Sequence, residues 1–129
     1  MESRRASRIG IELKIISKVN KEHKQKFSLI SGEHFEVKAL DISILGVGVL
    51  AKYFLPPGLI LELEIAGQPF GLEEIIAVKG EIRYCVYMKG CGYKCGVKFL
   101  DLKNSYKEAI AQFIATYERR KEPRLKLSE

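Results

Sequence analysis

Leu59-Ile60-Leu61-Glu62-Leu63-Glu64-Ile65 carries an apolar residue at every odd position and both of its charges at even ones. A period of two is the pattern of an extended strand with one dry face and one wet face. Tyr93-Lys94-Cys95-Gly96-Val97-Lys98-Phe99 repeats it, and near the amino end Ile9, Ile11, Leu13 and Ile15 alternate with Gly10, Glu12 and Lys14. Working outward, residues 34–40, 47–53 and 75–87 supply three more candidates, so that six strands are expected with 9–15, 59–65 and 93–100. Turn signals such as Pro56-Pro57-Gly58 and Gly67-Gln68-Pro69 separate them. Residues 17–33 are polar with a Ser-Gly punctuation and read as a loop with room for a loose hairpin.

The period changes after residue 100. Tyr106, Ala109, Ile110, Phe113, Ile114 and Tyr117 recur at spacings of three and four, and Ser105 with Glu108 makes an S-x-x-E capping box before them. An amphipathic C-terminal helix over residues 105–121 is expected, ending near Lys121 because Pro123 disfavours helical geometry in the residue before it. Short strands at regular spacing followed by one apolar-faced helix predict an all-β fold with a C-terminal helix. The expected form is a six-stranded antiparallel β-barrel, closed or nearly so, with the helix over an opening or an edge.

A length of 129 residues, 47% hydrophobic and 29% charged, suits one domain with its own core. The expected division is an arginine-rich flexible arm at 1–8, a barrel domain at 9–121 and a frayed tail at 122–129. No apolar run reaches the roughly 20 residues a membrane span needs, and the amino end opens with Glu2, Arg4, Arg5 and Arg8. The expectation is a cytoplasmic protein without a membrane span, whose three cysteines stay reduced. The net charge of +6 is uneven: +5 over residues 1–26, −1 over 27–116 and +2 over 117–129. Positive ends raise the local concentration of anionic partners without choosing among phosphate ligands, nucleic acid and acidic membranes.

Two short constellations carry chemistry: Arg4-Arg5-Ala6-Ser7-Arg8, an R-x-x-x-R spacing ahead of the first strand, and Asp41-Ile42-Ser43-Ile44-Leu45-Gly46 at the end of the second. Taken singly, terminal arginines read as solvated charge, and an Asp-x-Ser pair reads as a turn that bonds its own backbone. Taken together, and followed by Pro57-Gly58, Val78-Lys79-Gly80-Glu81-Ile82-Arg83-Tyr84 and Gly96-Val97-Lys98-Phe99-Leu100-Asp101, they closely resemble the PilZ domain family over nearly the whole chain. The resemblance implies a split-barrel type six-stranded barrel with a C-terminal helix. It also implies a receptor for the bacterial second messenger c-di-GMP, with Arg4, Arg5, Arg8, Asp41, Ser43 and Gly46 as the ligand-binding residues and no cofactor.

The chemistry agrees with that implication on its own terms. Cyclic diguanylate presents two phosphates, guanine O6 and N7 acceptors, and N1 and N2 donors. A planar guanidinium pairs with phosphate or with O6/N7 and stacks on a base, which a lysine does poorly. An ionised Asp41 accepts from N1–H and N2–H, Ser43 adds a hydroxyl, and Gly46 permits close backbone approach or a positive φ. An arm with three arginines and no large apolar residue between Glu2 and Ile9 has little to bury, so ligand is expected to order it and to create or hide a surface for a downstream protein partner.

Other features read more plainly. Cys91 and Cys95 are four apart, but Cys91 borders the turn before the last strand while Cys95 sits on its apolar face with Val97 and Phe99, and with only His23 and His34 available no metal site is expected; Cys95 reads as a core residue. No Ser elbow, phosphate-binding glycine loop or H-E-x-x-H helix is present, so no catalysis is expected, and Gly46-Val47-Gly48 lacks the third glycine of a dinucleotide fingerprint. Two other readings stay open. One is a barrel that binds single-stranded nucleic acid through Tyr84, Tyr87 and Tyr93, against which the strands lack basic-aromatic interleaving and Tyr93 shares a face with Val97 and Phe99. The other is a protein-interaction module without ligand, using Ile60, Tyr53 or the outer helix face. Oligomeric state is left open by the residues.

Overall fold

The computed structural model describes residues 8–19 and 34–127. Among them are six strands: β1 (Ile9–Val19), β2 (Phe35–Ile42), β3 (Gly46–Ala51), β4 (Ile60–Ile65), β5 (Ile76–Met88) and β6 (Gly92–Leu100), followed by helix α1 (Asn104–Leu127). They pair antiparallel in the order β1-β2-β3-β6-β5-β4, and β4 returns to β1, so the sheet closes into a barrel. The fold is therefore the six-stranded antiparallel barrel with a C-terminal helix that the alternation predicts. Closure gives every strand two neighbours, so no edge is left to be covered.

Alternation explains the interior. Leu61, Leu63 and Ile65 of β4 are at most 2% exposed and share one buried cluster with Cys95, Val97 and Phe99 of β6, with Leu63 and Val97 both reaching over Gly80 of the intervening β5. Leu59, just before β4, is buried too, held by a turn in which the Leu59 N–H donates to Pro56 O at 3.1 Å. Gly58 sits in that turn at φ 92°, where a side chain would be strained, so Pro57-Gly58 is the expected turn pair.

The helix closes one end of the core. Ile110 is fully buried, Phe113 meets Phe70 edge-on at 5.0 Å, and the Tyr106 hydroxyl donates to Glu74 Oε2 at 3.1 Å, tying α1 to the segment between β4 and β5.

Strands β2 to β6 lie within two residues of the expected bounds, and three other element ends differ for a physical reason. β1 continues through Ser17 to Val19, where the loop at 17–33 was expected to begin, because Ser17 and Val19 keep the inward alternation and pair with Leu63 and Leu61 of β4. Residues 20–33 lie outside the described residues. The helix begins at Asn104, with the Lys107 N–H donating to Lys103 O, which places Ser105 inside the first turn rather than at the cap. It also runs to Leu127 instead of ending near Lys121. A proline inside a helix removes one backbone hydrogen bond and crowds the carbonyl four residues back, a local cost that a long helix can absorb.

The ladder has three irregularities, one of them between Gly10 and Leu13 where β1 pairs with β2, and the other two decide which way Asp41 and Tyr84 stand on the wall. The β2–β3 register slips between Ala39, opposite Val49, and Asp41, opposite Gly48, which leaves Leu40 as an extra residue. The β5–β6 register slips between Ile82, opposite Val97, and Tyr84, opposite Gly96, which leaves Arg83 extra. An inserted residue reverses the in-and-out sense of everything beyond it on that strand.

Candidate functional site

Val37 and Ala39 of β2 point into the core, and strict alternation would send Asp41 after them. The bulge at Leu40 turns it outward instead, so that a carboxylate which would be costly to bury stands on the barrel wall. Its lateral neighbours are both glycines, Gly10 on β1 and Gly48 on β3. Gly48 matters most: a Cβ there would lie 2.8 Å from Asp41 Oδ1 and 3.1 Å from Oδ2, so the carboxylate leans into the space that the missing side chain leaves.

Arg8 enters from the residue preceding β1, and its Nη1 donates to Asp41 Oδ1. Each side chain is 29% exposed, so the pair is open to water and to a competing partner. In such a setting the ion pair itself adds little stability, about 0–1 kcal/mol, and its partners exchange readily. The structure thus brings Arg8 and Asp41 together, although 33 positions separate them in the chain.

Ser43 has a different place. It is 1% exposed; its N–H donates to Gly46 O at 2.9 Å, and its Oγ accepts from the Leu45 N–H at 3.1 Å. It therefore holds the β2–β3 turn, the backbone-bonding role that an Asp-x-Ser pair has by itself. Gly46 serves close approach and not a positive φ: a Cβ there would fall 2.1 Å from Val97 O, so only glycine lets β3 lie against β6 at this point. Arg4 and Arg5 lie outside the described residues.

Gly48 and Gly10 are the site residues that motif reading missed. The signal for Gly48 was a glycine inside the apolar run Val47-Gly48-Val49, where a strand glycine marks the close approach of another group. Nothing in the sequence says that the group is Asp41.

The remaining candidates are placed as follows. Cys95 is fully buried and lies 3.2 Å from Cys85 Sγ across the β5–β6 pair, while Cys91 is exposed. Burial, and then the Cys85 thiol beside it, push the Cys95 thiol well above its ordinary range. Among the described residues no group of three or more His, Cys, Asp or Glu could hold a metal ion, and no helix is long and apolar enough to cross a membrane. Of the three tyrosines of the nucleic-acid reading, Tyr84 and Tyr87 are exposed, whereas Tyr93 is half-buried and packed edge-on with Tyr87 at 5.4 Å and Phe54 at 5.9 Å.

Comparison with known proteins places this geometry. A family model described as the PilZ domain matches residues 2–116. An uncharacterised protein of Aquifex aeolicus (strain VF5) is 38% identical over 76 residues, which are 58% of this chain and 35% of that protein. Among solved structures, the Bacillus subtilis inhibitor of motility MotI/DgrA superposes with a TM-score of 0.72 at 14% identity, covering 94% of this chain and 54% of that one. The PilZ domain of YcgR from Escherichia coli, solved with c-di-GMP, gives a TM-score of 0.61 at 16% identity and covers 99% of both chains. The chain spans about a third of the Aquifex protein and about half of the Bacillus one. At such identities the solved structures speak for the fold.

Proposed function

The chain belongs to the PilZ domain family, and from that premise we propose that it is a cytoplasmic c-di-GMP receptor, a binding module without catalysis. The observation that carries the reading is the outward Arg8–Asp41 pair on a barrel wall cleared by Gly48. Such a pair is a ready-made exchange site. Guanine offers N1–H and N2–H to the carboxylate, while Arg8 leaves Asp41 for a phosphate or for the O6/N7 edge, so each charge trades one partner for another and neither is left bare. Support also comes from the YcgR PilZ domain, a neighbour of the same fold solved with c-di-GMP.

In this reading Arg4 and Arg5 add cations to the same ligand, Ser43 acts through the turn it holds, and Gly46 acts by keeping β3 against β6. Ligand bridging residues 1–8 to the wall would present a changed surface to a downstream protein. Calorimetric titration with c-di-GMP, GMP, cyclic di-AMP and a short oligonucleotide tests the assignment on wild type and Arg8→Ala. Selective c-di-GMP binding that Arg8→Ala weakens by about 10- to 100-fold is the expected result. Indifference of the folded wild-type protein to c-di-GMP at millimolar concentration would sink the receptor reading. Preference for the oligonucleotide would move the function to nucleic acid.

A further inference from the structure

Tyr84 is turned outward by a bulge, as Asp41 is. In β5, Ile76, Val78 and Ile82 point into the core, and unbroken alternation would send Tyr84 with them. The extra residue Arg83 reverses the sense, leaves Tyr84 45% exposed and gives the inward position to Cys85, opposite buried Cys95. Two separate bulges on two different strands thus bring out the two residues that alternation would bury, a recurrent device for re-aiming a side chain.

Both residues fall on one lateral row. Asp41 pairs with Gly48, Gly48 with Gly96, and Gly96 with Tyr84. Each leans toward the other over a glycine: the carboxylate occupies the space above Gly48, and the Tyr84 ring covers Gly96, where a Cβ would lie 2.3 Å from Cε2 and 2.8 Å from Cδ2 and Cζ. The carboxylate therefore stands over β3 and the ring over β6, one strand spacing of about 5 Å apart, with no side chain rooted between them. Lys94 and Lys98 flank Gly96 along the outer face of β6. A row with an acceptor at one end, an exposed aromatic ring at the other and cations alongside has the composition that a phosphate-bearing purine needs.

We propose that Tyr84 is a stacking residue of the ligand site: a purine base of the dinucleotide lies against its ring while the base edge is held by Asp41. The inference rests on the c-di-GMP reading and adds to it a residue outside the arginine and Asp-x-Ser-x-x-Gly motifs. Tyr84 also fixes chemical class, since an aromatic face rewards a planar base whereas the arginines alone would accept any polyphosphate.

The test is calorimetric titration with c-di-GMP of wild type, Arg8→Ala, Tyr84→Ala, Tyr84→Leu and Tyr84→Phe, with thermal denaturation of each. Stacking predicts a loss of about 10- to 100-fold in Tyr84→Ala and nearly as much in Tyr84→Leu, which still covers Gly96 but has no π face, with affinity retained within about threefold in Tyr84→Phe. The chain has no tryptophan, so Tyr84→Trp provides a second readout, a fluorescence change on adding c-di-GMP. If wild type binds and Arg8→Ala weakens binding while Tyr84→Ala and Tyr84→Leu bind like wild type, the stacking role is overturned and the receptor reading stands. A silent tryptophan in a binding-competent Tyr84→Trp would also overturn the stacking role, even if Tyr84→Ala proved unstable. A wild-type protein that ignores c-di-GMP would remove both.

Discussion

Replacing Gly48 by alanine puts one methyl group beneath the Asp41 carboxylate, 2.8 Å from Oδ1 where ordinary contact begins at 3.4 Å. The oxygen must retreat by about 0.6 Å, which a modest turn about the Asp41 side-chain bonds achieves, at a cost of about 0.5–1.5 kcal/mol if it leaves its rotamer by ~30°. Gly48 is not among the glycines with positive φ, so alanine also narrows the unfolded ensemble and returns about 0.4–1 kcal/mol. Folding stability should therefore stay within about 1 kcal/mol of wild type. Binding should not, because the displaced carboxylate no longer meets the base edge, and a lost bidentate contact of about 1–3 kcal/mol corresponds to roughly 10- to 100-fold weaker c-di-GMP binding. Gly46→Ala is the contrasting control, in which stability itself should fall. Its methyl meets the Val97 backbone carbonyl at 2.1 Å, a group that cannot rotate away, so β3 and β6 must part and the protein should lose about 3 kcal/mol. Urea denaturation followed by circular dichroism reads the first quantity and calorimetric titration the second. The reasoning fails if Gly48→Ala loses more than about 3 kcal/mol, if it binds c-di-GMP like wild type, or if Gly46→Ala is as stable as the parent.

Further outcomes follow from the core. Exposed Cys91 should react at once with a thiol reagent, and Cys95 only on unfolding. The raised Cys95 pKa also has a pH signature: the folded chain keeps a proton that the unfolded thiol releases above its ordinary 9.0. The stabilisation is complete below about pH 9 and declines by up to about 1.4 kcal/mol per pH unit above it, so urea midpoints from pH 8 to 10.5 should fall less steeply in Cys95→Ala than in wild type. Ile110→Ala, at a fully buried position under the helix, should cost about 2–5 kcal/mol by thermal denaturation; a loss below about 1 kcal/mol would mean that α1 does not close the core.

Much of the architecture was legible because the barrel obeys a rule of period two. Leu59 to Ile65 and Tyr93 to Phe99 show their buried faces in the bare sequence, and all six strands lie where alternation and turn residues put them. Strand ends were less legible: Ser17 to Val19 are paired by β4, more than forty residues away in the chain, and a polar composition said nothing of that partner. Of the site, the motif spelled out Arg8 and Asp41 but not their union. Ser43 was open to two roles, and its burial in the turn gave weight to the backbone-bonding one.

The residues themselves determined that this chain would make a small antiparallel barrel with a terminal helix and carry arginines beside an Asp-x-Ser-x-x-Gly turn, since periodicity and motif spacing are local properties. Tertiary structure decided which way Asp41 and Tyr84 face and that glycines lie between them. Each orientation depends on one residue more on a strand than on its partner, and that difference exists only after two distant segments have been laid side by side.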